Sequence, residues 1–358
     1  MNKWMYDCIL EAPGTCKDII EKKDVLLKGL IDLYLSKEFE EIVFVASGSS
    51  YNIANCAKYA IQKFLKVRVT VINSITFAKY ENLYFNKALI LCLFQSGRST
   101  NTIAAVKKAK EMGYTCGAIS MVVDSPISRY CDHVFNYGSH ECGQDVFVCR
   151  GVPTSSLFLM LFALEAGLKK QVITLEDYDA HINQLNKVTE LMIEVRQKAD
   201  KWYENNKKEF YSMKRAMVCG IGPSFGVANE GALKMEETIG IPSNVYELEE
   251  FLHGPTYEIK KDNAVFLVDM DEASHDRIMT IYKAMFELTD RVYLITNSDE
   301  VSGDNVLNIH SDIAEELRTL LFVIPFQVLA SRVCDDLRIR AITIFNYRSA
   351  QLLKTKTD

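Results

Sequence analysis

A chain of 358 residues, 48% apolar and 25% charged, is long enough for two domains of ordinary size and has the make-up of a globular protein. Its net charge of −6 argues against nucleic acid or an anionic membrane as the main partner. No uninterrupted apolar run reaches the roughly 18 residues that a spanning helix needs, and the opening MNKWMYDCILEAPG carries no signal-peptide core.

Residues 1 to about 40 read as helical, with Glu11-Ala12-Pro13 as an interruption and 16–35 as an amphipathic stretch. From 41 to about 170, strand and helix patterns alternate: a strand at 42–46, a helix at 53–65, strands at 68–72 and 88–93, a helix at 102–111, strands at 115–120 and 133–136, and a long buried helix near 155–168. Such alternation implies a parallel sheet with helices on both faces. Residues 171–208 read as one or two connecting helices. The ten cysteines are scattered, and none forms a Cys-x-x-Cys pair, so they read as reduced core thiols of a cytoplasmic protein. His133, His140, Glu141 and Cys142 match no familiar zinc-ligand spacing and read as surface loop, and no metal is expected.

Two turns hold the chemistry of the first half. After the strand at 42–46 the chain breaks at Ser47-Gly48-Ser49-Ser50 before a helix, and after 88–93 it runs through Gln95, Ser96, Gly97, Arg98, Ser99, Thr100, Asn101 and Thr102 into another. Gly and Ser are ordinary turn residues. Yet each turn places hydroxyls and backbone N–H groups at a positive helix end, and Arg98 adds a cation. On parallel strands both turns face one edge of the sheet, where α/β proteins bind ligands. Together they read as one phosphate cradle.

At Lys214 the pattern restarts. Gly48 to Asn55 lies over Gly222 to Asn229 at an offset of 174, and the same offset, taken without a gap, sets Gln95–Thr100 over Asp269–Ser274. The shared register reads as a tandem duplication. The second repeat carries Asp269, Asp271 and Glu272 where the first carries its cradle, and carboxylates repel a phosphate, so only the first repeat is expected to keep one. In the second, Glu230, Lys234, Glu236 and Glu237 ride a helix that reads as a solvated face with an i,i+4 pair. His253, before Gly254-Pro255, reads either as a turn histidine or as an imidazole tuned toward protonation by Glu247, Glu249 and Glu250.

The Gly-Ser-Ser turn, the Gln95-Ser96-Gly97-x-Ser99 loop, the Glu230-Gly-Ala-Leu-Lys234 helix and the Glu250-x-x-His253-Gly-Pro segment together resemble the tandem sugar-isomerase (SIS) family. That family includes the isomerase half of glucosamine-6-phosphate synthase and the deglycases of fructosamine 6-phosphates. The resemblance runs from about residue 25 to the C-terminus. It implies two tandem SIS domains of α/β class, each a parallel sheet flanked by helices in a flavodoxin-like three-layer sandwich. The divisions expected are an N-terminal helical segment at 1–25, domain 1 at 26–170, a helical linker at 171–208, domain 2 at 209–345 and an active-site tail at 346–358.

The resemblance also implies roles. Ser49, Ser50, Gln95, Ser96 and Ser99, on the turns made by Gly48 and Gly97 and joined by Arg98 and Thr102, would hold the 6-phosphate and nearby hydroxyls. Glu237 matches the carboxylate that moves a proton between C1 and C2. His253 matches the ring-opening histidine, supplied in the family by a neighbouring subunit, so a homodimer or higher oligomer is expected. Lys354 matches the tail lysine at the open-chain carbonyl, with a frayed basic terminus as the alternative. No cofactor is implied.

Three departures bear on the substrate. Phe94 replaces a serine and is expected to narrow the pocket, Arg98 replaces a glutamate, and Cys149-Arg150-Gly151 stands where Thr-Lys-Gly is usual. The chain opens Met1-Asn2-Lys3, without a cysteine nucleophile or glutaminase domain, which argues against a full synthase. The reading is a deglycase that splits a sugar–amino acid 6-phosphate conjugate into hexose phosphate and free amine. The alternatives are a stand-alone glucosamine/fructose 6-phosphate isomerase or deaminase, and a non-catalytic sugar-phosphate sensor.

Overall fold

The computed structural model describes residues 3–140, 147–270, 273–339 and 352–357. They form two compact units: one takes in 14–140, 150–186 and 352–357, the other 3–13, 147–149, 187–270 and 273–339. Each unit is built on a five-stranded sheet. In the first, β1 (Glu41–Ala46), β2 (Arg68–Asn73), β3 (Ala88–Leu93), β4 (Thr115–Ser120) and β5 (Val134–Asn136) lie in the order β2-β1-β3-β4-β5. In the second, β6 (Arg215–Gly220), β7 (Ser243–Glu247), β8 (Asn263–Asp269), β9 (Val292–Thr296) and β10 (Val306–Asn308) follow the same path, β7-β6-β8-β9-β10.

Every strand pair is parallel, so each crossover returns through a connection over a face of the sheet. Helices on both faces explain why β3 and β8 are buried at every residue and read as unbroken apolar runs. The strand order reverses direction between β1 and β3, and this switch point is where ligands enter open α/β sheets.

Several helices differ from the sequence expectation. Pro13 does not interrupt the first helix, which runs Lys3–Glu21. Its buried stripe of Cys8, Ala12, Cys16 and Ile19 keeps helical spacing across the proline, and that burial outweighs one lost backbone bond. The linker is a single 37-residue helix, Leu175–Tyr211. Two apolar helical segments, Gly151–Lys169 and Glu315–Asp336, reach spanning length by composition, but 94% of each is buried inside the fold.

The duplication holds, with one correction to its register. The offset of 174 carries β1 onto β6 and β2 onto β7, since Ile42 faces Val69 as Ala216 faces Ser243. From β3 onward the offset becomes 175: Glu41 pairs with Ala88, whereas Arg215 pairs with Asn263. The connection between β7 and β8 covers 248–262, one residue longer than the 74–87 connection between β2 and β3. The following helices keep the step, because Ile103 N–H donates to Ser99 and Ile278 N–H to Ser274. Asp269 therefore stands at the position of Phe94, Met270 at that of Gln95, and His275 at that of Thr100. Asp271 and Glu272 lie outside the described residues.

Candidate functional site: a hydroxyl-lined turn pair and a buried lysine–carboxylate cluster

The first turn is set by Gly48, at φ 59° and ψ −139°, a combination that a side chain makes costly. The helix after it starts at Ser49, four residues earlier than its apolar period suggests, because small polar residues fill its first turn. Ser49 and Ser50 are therefore buried first-turn residues rather than loop residues. The second turn needs Gly97, at φ 67°, for a harder reason: a Cβ there would stand 2.0 Å from Ser125 Oγ.

The two turns are tied to each other. Asn101 Nδ2 donates to Ser47 Oγ at 2.9 Å, Ser47 Oγ donates to Ser74 Oγ at 3.1 Å, and Ser74 Oγ lies 2.9 Å from Thr102 Oγ1. Thr102 is thus buried, with its hydroxyl in the strut between the turns. Ser96 and Ser99 are half-buried at the rim of the second turn. Gln95 is held at both ends: its side-chain oxygen accepts the buried Tyr137 hydroxyl, and its carbonyl accepts Met121 N–H at 3.1 Å. Phe94 does not narrow a pocket. It points into the apolar cluster with Cys92, Ile103 and Ile127, because β3 continues its inward alternation one residue further.

The tail reaches this same edge. Thr100 N–H donates to Thr355 O at 3.0 Å, Thr357 N–H to Arg98 O at 2.9 Å, and Ser99 and Lys356 face each other as an antiparallel bridge. Thr100 Oγ1 donates to Lys354 O at 2.9 Å, and Arg98 Nε to Thr357 O at 2.9 Å. Lys354 is exposed, with its backbone anchored to the first residue of the 100–111 helix.

In the other unit, the helix of Glu230 and Lys234 is not a solvated face. Glu230 is 1% and Lys234 0% exposed. Lys234 Nζ lies 3.2 Å from Glu230 Oε1 and 2.6 Å from Glu237 Oε2. Burial pushes the ammonium toward neutrality, but the two carboxylates outweigh it and leave its pKa raised, so the lysine stays charged. Residues Met235–Ile239 form a turn of π-helix, closed by Gly240 N–H on Met235 O at 3.1 Å. Such turns are rare and recur at functional sites. This one swings Glu237 partly into the open while Lys234 holds it.

The small residues Gly226, Ala228, Gly231 and Ala232 were the available signal that this helix is buried. At Gly231 a Cβ would come within 2.6 Å of the Phe326 ring. Sequence reasoning also missed Ser47, Ser74 and Asn101 as the strut of the cradle, since serine and asparagine there look like plain turn residues. Glu236 faces out; partial burial raises its pKa, with the Ser243 backbone opposing and Glu237 adding to the rise.

His253 is exposed, and its N–H donates to Glu250 O at 3.1 Å. Two of the three carboxylates expected to tune it are engaged elsewhere. Glu247 Oε2 accepts the N–H groups of Glu249 and Glu250 at 2.8 and 3.0 Å, and Glu249 makes a two-point pair with Arg277 at 2.6 and 2.9 Å.

The SIS domain family matches residues 34–166 and 209–331. The glutamine–fructose-6-phosphate aminotransferase (isomerizing) of Caldanaerobacter subterraneus is 27% identical over 350 residues, covering 91% of this chain and 55% of that protein. The same enzyme from Clostridium tetani is 29% identical over 304 residues, covering 81% and 48%. The chain thus spans about half the length of the curated relatives it matches. The C-terminal domain of glucosamine-fructose-6-phosphate aminotransferase from Francisella tularensis matches at a TM-score of 0.80 with 23% identity, over 93% of this chain and 95% of that one. Glucosamine-6-phosphate deaminase from Thermotoga maritima matches at 0.68 with 21% identity, over 91% and 96%. At those identities the structures speak for the fold.

Proposed function

The chain belongs to the SIS domain family, and from that premise we propose that it acts on an aminated hexose 6-phosphate, cleaving a sugar–amino acid conjugate into hexose phosphate and free amine. The observation that carries the reading is the tie between the two turns of the first repeat, Asn101 Nδ2 to Ser47 Oγ at 2.9 Å, at the switch point of a parallel sheet. It gathers small hydroxyls and two helix N-termini, the groups a phosphate monoester takes. Binding the phosphate, remote from the reacting carbons, supplies positioning.

The chemistry then asks for a carboxylate that takes a proton next to a carbonyl. Glu237 fits, because its charge is balanced by Lys234 and its position is set by the π-helical turn. His253 is assigned ring opening, which needs a group that gives and takes a proton near neutral pH. Lys354 is assigned the open-chain carbonyl, its backbone being anchored beside the turn of Arg98 and Ser99.

A second reading, interconversion or deamination of glucosamine 6-phosphate, is favoured by the 27% identity to an isomerizing aminotransferase. A panel of 6-phosphorylated sugar–amine adducts and glucosamine 6-phosphate, followed by mass spectrometry, separates the two by the amine released. Glu237→Gln is expected to cut turnover by about 10²- to 10⁴-fold while fructose 6-phosphate still binds. Binding to every panel member with no turnover of any would leave a sensor as the reading.

A further inference from the structure

The second turn of the first repeat divides its polar groups between two tasks. Ser99 holds φ −66° and ψ 115°, an extended conformation, and its hydroxyl caps no helical N–H. The tail supplies what that side chain does not. Thr100 N–H, the first of its helix, donates to Thr355 O at 3.0 Å, and Thr357 N–H donates to Arg98 O at 2.9 Å. Arg98 Nε closes on Thr357 O at 2.9 Å, and Thr100 Oγ1 donates to Lys354 O at 2.9 Å. Thr102 already belongs to the strut between the turns. Arg98 and Thr100 therefore hold the tail, and the half-buried Ser96 and Ser99 keep hydroxyls that bond nothing else among the described residues. Arg98, the cation expected to face a phosphate, is engaged with the backbone of the tail.

The pairing brings another cation. Ser99 and Lys356 stand opposite each other in an antiparallel bridge. The two backbone bonds flank this pair rather than joining it. In such pairs the Cα atoms approach to about 4.5 Å, and both side chains leave from one face of the ribbon. Lys356 thus shares a face with the Ser99 hydroxyl, while Thr355 and Thr357 take the other. It is exposed, and its ammonium makes no hydrogen bond or ion pair among the described residues. Lys354 is placed differently. Its φ of 46° is left-handed, so the extended pairing stops there, and the bond that anchors it uses its carbonyl.

We propose that Lys356 is the cation of the phosphate site, brought beside Ser99 by a tail strand that Arg98 and Thr100 latch. This rests on the sugar-phosphate reading above and deepens it: the site takes a phosphate monoester as its dianion, on the hydroxyls of Ser96 and Ser99 and one tail ammonium. Lys354 keeps its assignment to the open-chain carbonyl. Arg98 is a positioning residue that acts on the phosphate through the tail. A dianion gains more from the ammonium than a monoanion does, and a monoester loses its second proton near pH ~6.

The test is calorimetric titration of the full chain with fructose 6-phosphate. Lys356→Met is expected to weaken binding about tenfold near pH ~7.5 and clearly less near pH ~5.5, and Lys356→Arg to recover most of the loss. Arg98→Ala is expected to cost a similar factor by releasing the tail, yet to add little in the Lys356→Met chain. Tryptic cleavage after Lys354 reads the latch without any ligand: it should be no faster in Lys356→Met than in wild type and faster in Arg98→Ala.

Unchanged affinity in Lys356→Met, a loss equal at both pH values, or a tail released by Lys356→Met overturns the role of Lys356. A full further tenfold loss from Arg98→Ala in the Lys356→Met chain puts Arg98 on the phosphate and overturns the division of labour. Lys356-dependent binding with no sugar–amine adduct turned over counts against the proposed reaction and leaves the phosphate site standing. If fructose 6-phosphate does not bind, the sugar reading fails, and the same comparison with inorganic phosphate decides Lys356, absence of binding there counting against it.

Discussion

The turn at Ser47-Gly48-Ser49-Ser50 and its counterpart at Ile221-Gly222-Pro223-Ser224 share a backbone and little else. Gly48 sits at φ 59°, ψ −139° and Gly222 at φ 56°, ψ −128°, and in each helix an asparagine donates to the carbonyl four residues back, Asn55 to Tyr51 O and Asn229 to Phe225 O. The side chains part company. Ser47 offers a hydroxyl to the strut, whereas Ile221 has none. Ser50 has its counterpart in Ser224, but Ser224 closes on its own turn, bonding Ile221 N and O at 2.9 Å each. Pro223 removes an N–H from the first helical position.

The next loop repeats the lesson. Where Thr100 meets the tail, His275 is pinned between Asp269 at 2.8 Å and Glu300 at 2.9 Å, with Thr296 also on Asp269 at 2.7 Å. Two carboxylates on the two ring nitrogens need two donors, which is the imidazolium. Duplication preserved the strand-to-helix turn because glycine geometry and sheet order require it. It left the side chains free to fill one cradle and keep the other.

The contrast between the repeats can be broken at several points. The largest expected effect on stability is in the second, where Lys234→Met leaves Glu230 and Glu237 without their cation. Urea unfolding should show a loss of about 3–5 kcal/mol, partly recovered in Lys234→Met/Glu230→Gln. Next comes Gly97→Ala in the first repeat: a methyl 2.0 Å from Ser125 Oγ, at positive φ, should cost about 1–3 kcal/mol and weaken fructose 6-phosphate binding.

Ser47→Ala removes the acceptor of Asn101. It should lower stability by about 1 kcal/mol and sugar-phosphate affinity with it, making the first turn more like its counterpart at Ile221. The smallest effect is at His275. Burial opposes its charge, but the bonds to Glu300 and Asp269 leave its pKa raised. A raised folded-state value stabilises fully below the ordinary imidazole range of about 6.5 and is lost as pH rises through the raised value. The stability gap between wild type and His275→Gln should thus be widest near pH 6 and close toward pH 9. It should stay below about 1 kcal/mol, because Glu300 is half exposed and screened.

Much of the fold was legible in the order of residues. Apolar runs that end in turns of small polar residues mark β1 and β3, and the return of Gly48-x-Ser50 as Gly222-x-Ser224 marks the duplication. What escaped was anything that depended on packing. Gly231 packs against the Phe326 ring and Lys234, on the same helix, is fully buried, neither of which local spacing shows; the one extra residue between β7 and β8 is visible only once Arg215 is seen opposite Asn263. Phe94 looked like a wall of a pocket because it stands where the resembled family has a loop serine, and only the packing shows its ring in the apolar cluster.

By itself the sequence determined the α/β class, the doubling, and the small hydroxyl residues at two strand ends, since these follow from periodicity and from the few residues that tolerate a positive φ. Only the tertiary structure decided that Asn101 ties the two turns together, that the carboxylate at 269 neutralises a histidine inside its own repeat, and that a lysine four residues from one glutamate and three from another is buried between them. Whether a charged side chain meets water or a partner is settled by what the rest of the chain lays over it, and local spacing holds no record of that.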